Sequence, residues 1–235
     1  HVHSRGPDSD GFWLDENNNY AVAHKRLAIL DLSEAGNQPI LSKNKRYVLA
    51  FNGEIYNHLE IREILNKKFD FSWRGNSDTE TLIQSISLFG LKKTLDLING
   101  MFSFALWDRD EKILSLVRDR LGEKPLFYYL QAQRLYFASE LKALLKIPVL
   151  PRQIDLEALD CYLAMGFVPG DRCILKGFQK LPPAHAMTFD LREGAAKVWR
   201  YWQLPELKAD PDTDETALLD DLEVLLEDAV SRQLL

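Results

Sequence analysis

Three consecutive residues, Asn52, Gly53 and Glu54, are of types that could stabilise an oxyanion and hold an amide substrate. They follow a predicted strand from Tyr47 to Phe51. A side-chain amide and a glycine N–H are both hydrogen-bond donors suited to a developing negative charge. The competing interpretation is a turn, because Asn and Gly both adopt positive φ at little cost. These residues alone leave both interpretations open.

Composition limits the class of protein. The chain has 235 residues, 46% of them hydrophobic, which is enough for one large domain or one domain and the start of another. A formal net charge of −6 gives no electrostatic footprint for nucleic acid. The longest apolar run, Met101 to Trp107, is far shorter than the roughly 20 residues that cross a bilayer. Two cysteines without Cys-x-x-Cys spacing suit a reducing compartment, so we predict a cytoplasmic protein that binds neither nucleic acid nor membrane.

The order of elements predicts an α+β domain. Helices are expected from His58 to Phe69 and from Asp78 to Phe89, with Ser77-x-x-Glu80 as a capping box for the second. Strands are predicted at 20–24, 27–31, 47–51, 101–108, 113–118, 126–130, 134–138, 186–189 and 196–201, and further helices at 140–145 and 156–166. Antiparallel strand pairs interrupted by two consecutive helices indicate two sheets with helices outside.

A domain boundary is predicted between about Leu204 and Asp214, where two prolines and four acidic residues break the hydrophobic pattern. Residues 1–204 are expected to form the main domain, and 205–235 a linker and the first helix of another. The segment from Arg5 to Gly11 has the composition of a loop, with no element before it, and the last helical pattern continues to Leu235. These features predict a polypeptide that is truncated at both ends.

Eight strings of residues occur in the order and at the spacing of one known family. They are Arg5–Asp8, His24–Leu27, Asn37–Pro39, Phe51–Asn57, Ser77–Glu80, Asn99–Asp108, Arg118–Leu126 and Phe137–Ala143. Through them nearly the whole chain resembles the glutaminase domain of glutamine-hydrolysing asparagine synthetases. The resemblance implies an N-terminal-nucleophile fold, an αββα sandwich of two antiparallel sheets between helical layers. It also implies that residues 205–235 begin a synthetase domain.

The family's nucleophile is a cysteine that becomes the first residue once the initiator Met is removed, and its thiolate attacks the side-chain carbonyl of glutamine. No cysteine stands near the start of this sequence, and His1 does not replace it by position, since only four residues precede Arg5. Cys161 and Cys173 lie far along the chain and are expected to pack as ordinary side chains. We therefore predict that these 235 residues alone do not hydrolyse glutamine.

The resemblance implies a role in the glutamine pocket for each matching residue. Asn52, through its side-chain amide, and Gly53, through its N–H, would form the oxyanion hole. Arg26 would bind the α-carboxylate of glutamine and Asp78 its α-ammonium. The other implied pocket residues are Glu54 and the backbone of Leu27 and Ile29. Without the resemblance, Arg26 would be interpreted as a surface arginine and Asp78 as an acid favoured by the helix dipole.

Two further strings receive structural interpretations. The aromatic side chains of Phe102, Phe104 and Trp107 are predicted to lie in the core. The segment from Arg118 to Pro125 marks the family, but its residues reveal no role, so the prediction is a turn between two hairpins.

The implied function is release of ammonia from glutamine for ATP-dependent amidation of aspartate in a second domain. No cofactor and no metal site are predicted in this chain; ATP and Mg²⁺ are implied for the synthetase domain, and a homodimer is left open. One alternative is an amidotransferase that passes ammonia to a sugar or another metabolite. Others are a non-hydrolysing relative resembling β-lactam synthetase and a module that only binds glutamine. The complete set of pocket residues argues against the non-hydrolysing relative.

Overall fold

The computed structural model describes residues 6–27, 31–69, 72–206 and 214–234. The chain divides into two compact units, His1–Trp202 and Gln203–Leu235. In the smaller unit the described structure is one helix, and the assignment of that helix to a synthetase domain stays a prediction. Within the described ranges, no helix combines the length and the apolar character needed to cross a membrane.

The larger unit alternates between strands and short groups of helices. Its elements are β1 (Ser9–Asp15), β2 (Tyr20–Arg26), β3 (Ile40–Leu41), β4 (Tyr47–Ile55), α1 (His58–Lys68), α2 (Asp78–Phe89), α3 (Leu91–Leu97), β5 (Gly100–Asp108), β6 (Ile113–Arg118), β7 (Phe127–Gln131), β8 (Arg134–Ala138), α4 (Leu141–Leu144), α5 (Leu156–Met165), β9 (Phe178–Lys180), β10 (His185–Asp190) and β11 (Ala195–Arg200). The smaller unit contains α6 (Glu215–Ser231).

The strands form three sheets in which every pair is antiparallel. The central sheet has the order β11-β10-β6-β5-β4-β3, the second has the order β8-β7-β9, and β1 and β2 form a hairpin. Because side chains alternate across a strand, each face of the central sheet has its own core. Leu49 and Phe104 pack against α1, α2 and α3 on one face. Trp107 packs on the other face with Tyr20 of the hairpin and Tyr128 of the second sheet.

A fourth layer lies beyond the second sheet. Tyr129 and Phe178, on β7 and β9, pack with Leu144 of α4 in a separate core. The layers therefore follow the order helices, central sheet, smaller sheets, helix, and this confirms the predicted α+β αββα class. The three aromatic residues predicted for the core are also buried.

The structure corrects the interpretation of Asn52 and Gly53 as a turn. They lie inside β4, which pairs continuously with β5 from Tyr47 as far as Ile55. The ladder overrides the local preference of Asn-Gly, because strand preference depends on pairing and packing in the sheet.

Three other predicted elements also differ. A strand, β1, begins at Ser9 where a loop was expected, because β2 supplies its partner from Tyr20 to Arg26. Three consecutive helices replace the two expected, since α3 follows α2 directly after Gly90. Of the strand expected at 27–31, the two end residues lie outside any strand and residues 28–30 lie outside the described residues.

Helix α1 offers a test of this layering within one element. Leu65 is fully buried against the central sheet, whereas Leu59 is 64% exposed. We expect Leu65→Ala to lower the free energy of unfolding by about 2 to 5 kcal/mol, because it leaves a cavity in the core. Leu59→Ala should change it by less than about 0.5 kcal/mol. Urea unfolding of both variants measures the difference, and equal effects would contradict the packing described.

Candidate functional site

A cavity of about 1000 Å³ opens in the larger unit beside β2, β4 and the start of α2. Six of the seven residues predicted for the site line it, namely Arg26, Leu27, Asn52, Gly53, Glu54 and Asp78. The seventh, Ile29, lies outside the described residues. Cys161 and Cys173 are unpaired and do not line the cavity. The fold thus brings together residues that the sequence separates by more than fifty positions.

Gly53 is required by its neighbours in β5. Its φ is 153°, in a region that side chains rarely adopt. A Cβ atom at this position would lie 2.1 Å from the carbonyl oxygen of Met101 and 2.6 Å from Cα of Phe102. Any other residue would push the two strands apart.

On the edge of β4 that faces away from β5, the backbone N–H and C=O groups of every second residue point away from the sheet. The N–H of Phe51 donates to Oε1 of Gln38 (2.7 Å), and the N–H of Ile55 donates to Oδ2 of Asp78 (2.9 Å). Because the direction of backbone N–H groups alternates along a strand, that of Gly53 faces the same edge. It lies between two satisfied groups and faces the cavity as a donor.

The strand is also fixed immediately before Asn52. Nε2 of His24 lies 2.9 Å from the carbonyl oxygen of Phe51, and since a carbonyl only accepts, Nε2 carries the proton. Burial lowers the pKa of His24, which favours this neutral form. Nδ2 of Asn52 donates to Oγ of Ser139 at 3.4 Å. Asn52 and Gly53 therefore lie on a strand whose free edge is held by side chains.

Asp78 is the first residue of α2 and is 6% exposed. Its Oδ1 accepts the N–H of Thr79 (2.7 Å), while its Oδ2 accepts that of Ile55. Burial raises the pKa of Asp78 to about 6, and the nearby charge of Glu54 adds to this, whereas the hydrogen bonds from Ile55 and Thr79 oppose it. The protein therefore holds a carboxylate in a place where it gains from a cationic ligand.

The loop before Asp78 is held by the buried carboxylate of Glu80 and by the side chain of Ser77. Oγ of Ser77 accepts the N–H of Glu80 (3.2 Å), which is half of the predicted capping box. The fully buried Glu80 does not return to Ser77; its carboxylate accepts the N–H groups of Arg74 (3.0 Å) and Gly75 (3.1 Å). Glu80 thus fixes the loop from which Asp78 projects.

Arg26 is buried at the end of β2 and is held by neutral acceptors. Its guanidinium donates to the carbonyl oxygens of Asp31 and Ser33 and to Oδ1 of Asn37. A Cβ at Gly36 would collide with it, which explains the glycine there. These acceptors orient the guanidinium without cancelling its charge.

Glu54 and Lys124 also line the cavity. Burial raises the pKa of Glu54, and the positive charge of Lys124 opposes that shift. The sequence had not indicated His24, Gln38, Ser139 or Lys124 as site residues, although each lies in a string that marks the family. The cavity thus carries a cationic group, carboxylates and amide donors within one enclosure.

Comparison with known proteins identifies the family to which the chain belongs. The model of the glutamine amidotransferase domain family matches residues 1–202. The chain therefore belongs to the glutamine amidotransferase family. Among solved structures, glutamine phosphoribosylpyrophosphate amidotransferase from B. subtilis, complexed with ADP and GMP, superposes with a TM-score of 0.55 over 78% of this chain and 35% of its own, at 18% identity. That likeness supports the N-terminal-nucleophile fold.

Curated relatives narrow the family further. Putative asparagine synthetase [glutamine-hydrolyzing] 2 of Methanocaldococcus jannaschii is 34% identical over 97% of this chain and 47% of its own length. Asparagine synthetase [glutamine-hydrolyzing] 3 of Bacillus subtilis is 36% identical over 98% of this chain and 36% of its own. The chain is a glutamine amidotransferase domain homologous to these enzymes, and it spans less than half their length.

The raised pKa of Asp78 predicts a pH dependence of stability. Because the folded protein binds this proton more tightly than the unfolded chain, the carboxyl contributes stability at low pH that is lost as pH rises from about 4 to 6. Relative to Asp78→Asn, the wild type should gain up to about 3 kcal/mol between pH 7 and pH 4. Thermal unfolding across this range measures the difference, and parallel curves would contradict the assigned pKa.

Proposed function

We propose that this chain is the glutaminase domain of a glutamine-dependent asparagine synthetase. It releases ammonia from glutamine, and the ammonia is used for the ATP-dependent amidation of aspartate. The observation that carries the proposal is the meeting of Arg26, Asn52, Gly53 and Asp78 in one cavity. Their charges and donors match the three polar ends of glutamine.

Substrate binding uses the two charged residues. The α-carboxylate of glutamine lies against the oriented guanidinium of Arg26, and its α-ammonium lies against Asp78. A cation beside Asp78 lowers the raised pKa of that carboxyl, so binding removes the cost of a buried charge. Glu54 adds a second carboxylate near the ammonium, and the backbone of Leu27 and Ile29 completes the wall.

Hydrolysis uses the edge of β4. A cysteine thiolate attacks the side-chain carbonyl carbon of glutamine, and the carbonyl oxygen becomes an oxyanion that accepts hydrogen bonds from Nδ2 of Asn52 and N–H of Gly53. The α-amino group of the same cysteine takes the thiol proton as the thiolate forms. Collapse of the intermediate breaks the C–N bond, and this proton passes to the leaving ammonia. Water then hydrolyses the thioester to glutamate and restores the thiolate. We assign the nucleophile to an N-terminal cysteine, as in the family; that these 235 residues alone are inactive stays a prediction.

The amidation of aspartate belongs to the part of the relatives that this chain does not cover. Within the described residues, no group of three or more His, Cys, Asp or Glu side chains could hold a metal ion. ATP and Mg²⁺ are proposed to bind in the part of the protein that carries out the amidation. A cytoplasmic location is also proposed, since the two unpaired cysteines suit a reducing compartment.

Asn52→Ala in the full-length protein tests the oxyanion hole. Loss of one donor should lower kcat with glutamine by about 10²- to 10³-fold while KM changes little, because the donor acts mainly on the transition state. Activity with free ammonia should persist. Equal loss of both activities would indicate a folding defect and contradict the assignment.

Asp78→Ala tests recognition of the ammonium. We expect KM for glutamine to rise by about a hundredfold or more, since a charge-assisted contact to substrate is lost, while ammonia-dependent activity is retained. Asp96→Ala, the same change at an exposed position of α3, is the control and should leave KM unchanged. An unchanged KM in Asp78→Ala would overturn the proposed binding mode.

A further inference from the structure

The segment from Arg118 to Pro125, which the sequence predicted only as a turn, is wound around one carboxylate. Asp119 is 1% exposed, and its oxygens are saturated by backbone donors. Oδ1 accepts the N–H groups of Leu121 (3.1 Å) and Glu123 (2.9 Å), and Oδ2 accepts those of Lys124 (2.9 Å) and Phe102 (3.3 Å). A carboxylate that accepts four N–H groups fixes the path of the chain around it.

A second side chain closes the same loop from the other side. The guanidinium of Arg118 donates to the carbonyl oxygens of Gly122 (2.6 Å), Lys124 (2.8 Å) and Leu181 (2.8 Å). Gly122 has a φ of 74°, which favours glycine. The two charged side chains that start the loop thus bind its own backbone, and neither lines the cavity.

The loop is fastened to β5 directly behind the proposed oxyanion hole. Besides the bond already described, the N–H of Asp119 donates to the carbonyl oxygen of Phe102 (2.8 Å), and Oγ of Ser103 donates to that of Pro125 (3.2 Å). Phe102 and Ser103 are the residues that stand opposite Gly53 and Asn52 in the sheet. Gly53 and Phe102 are paired in the ladder, so a shift of β5 moves Gly53 as well.

The loop also determines what stands on the cavity wall. Asp119 holds Lys124 through the N–H of that residue, and Lys124 lines the cavity with Glu54. The carboxylate of Asp119 therefore holds both the segment of β5 that pairs with Asn52 and Gly53 and the backbone of Lys124 on the cavity wall.

We propose that Asp119 is a positioning residue of the glutamine site, which holds the 119–125 loop so that β5 supports Asn52 and Gly53 and Lys124 stays on the cavity wall. The inference rests on the proposed glutaminase function. Because hydrogen-bond donors displaced by about 1 Å lose much of their effect on a transition state, the expected defect lies in turnover.

The test is Asp119→Asn in the full-length protein. An amide has one oxygen, so at least one pair of backbone N–H groups loses its acceptor and faces an NH₂ group. We expect kcat with glutamine to fall by about tenfold to a hundredfold, while KM and the inhibition constant of the product glutamate change little.

Asp108→Asn is the matched control. Asp108 lies at the other end of the β5–β6 hairpin and also accepts backbone N–H groups, those of Asp110 (3.1 Å) and Glu111 (3.2 Å), but it does not line the cavity. The chemical change is the same, and here it also weakens the ion pair of Asp108 with Arg46 (2.7 Å), so the protein should lose stability while kcat stays within about twofold of the wild type.

Calorimetric titration with glutamate separates positioning from folding by counting binding sites per chain. Asp119→Asn should bind glutamate at one site per chain and turn over slowly at each site; wild-type turnover per binding site would overturn the proposal. If Asp119→Asn does not fold, Ser103→Ala decides, because it removes the bond to Pro125. It should lower kcat several-fold at constant KM, and an unchanged kcat overturns the proposal. Ser103 also lines the cavity, so the fall in kcat counts for the proposal only when glutamate still binds as in the wild type.

Asn52→Ala, measured in parallel, distinguishes failure of the proposed glutaminase function from failure of the positioning role of Asp119. If it retains wild-type turnover, the proposed glutaminase function fails. If it loses turnover while Asp119→Asn and Ser103→Ala do not, only the positioning role fails.

Discussion

The early end of β3 is the constraint on which the site depends. β3 pairs with β4 only at Leu49 and Val48, and among the described residues no other strand pairs with the rest of that edge. Unpaired backbone groups buried away from water are costly, and side chains from three other segments satisfy those of Phe51 and Ile55. The N–H of Gly53, between them, faces the cavity. The open edge of β4 thus places backbone groups at fixed positions along one wall of the cavity.

The buried charged side chains at the site are its second structural feature. Asp78, Glu80 and Arg26 are each nearly inaccessible, and burial of ionised groups opposes folding unless hydrogen bonds compensate. Glu80 receives this compensation from backbone N–H groups and from the nearby guanidinium groups of Arg62 (3.9 Å) and Arg74 (3.8 Å). Asp78 accepts hydrogen bonds from Ile55 and Thr79, yet burial still raises its pKa to about 6. In the proposed binding mode, the substrate ammonium ion would supply the remaining compensation.

Sequence patterns predicted the elements whose signals are local in the sequence. Helix α2 was predicted with its observed bounds, because its apolar spacing and Ser77 cap are local. The strand β1 was missed, because Phe12, Trp13 and Leu14 are contiguous and hide the alternation that pairing with β2 creates. Asn52 and Gly53 were found by type, but their place inside a strand depends on β5. Gln38 and Asp119 were not found, because their roles consist of contacts to backbone far along the chain.

The carboxyl of Asp78 also links ligand binding to proton exchange with the solvent. Near pH 6 about half of the free molecules hold a proton on it, because its pKa is about 6. A ligand that places an ammonium ion against this carboxylate lowers the pKa, so binding in this range releases a fraction of a proton per molecule. The measured heat of binding then contains the ionisation heat of the buffer. Its variation between buffers reports on the carboxylates of the cavity, Asp78 at the start of α2 and Glu54, independently of any catalytic turnover.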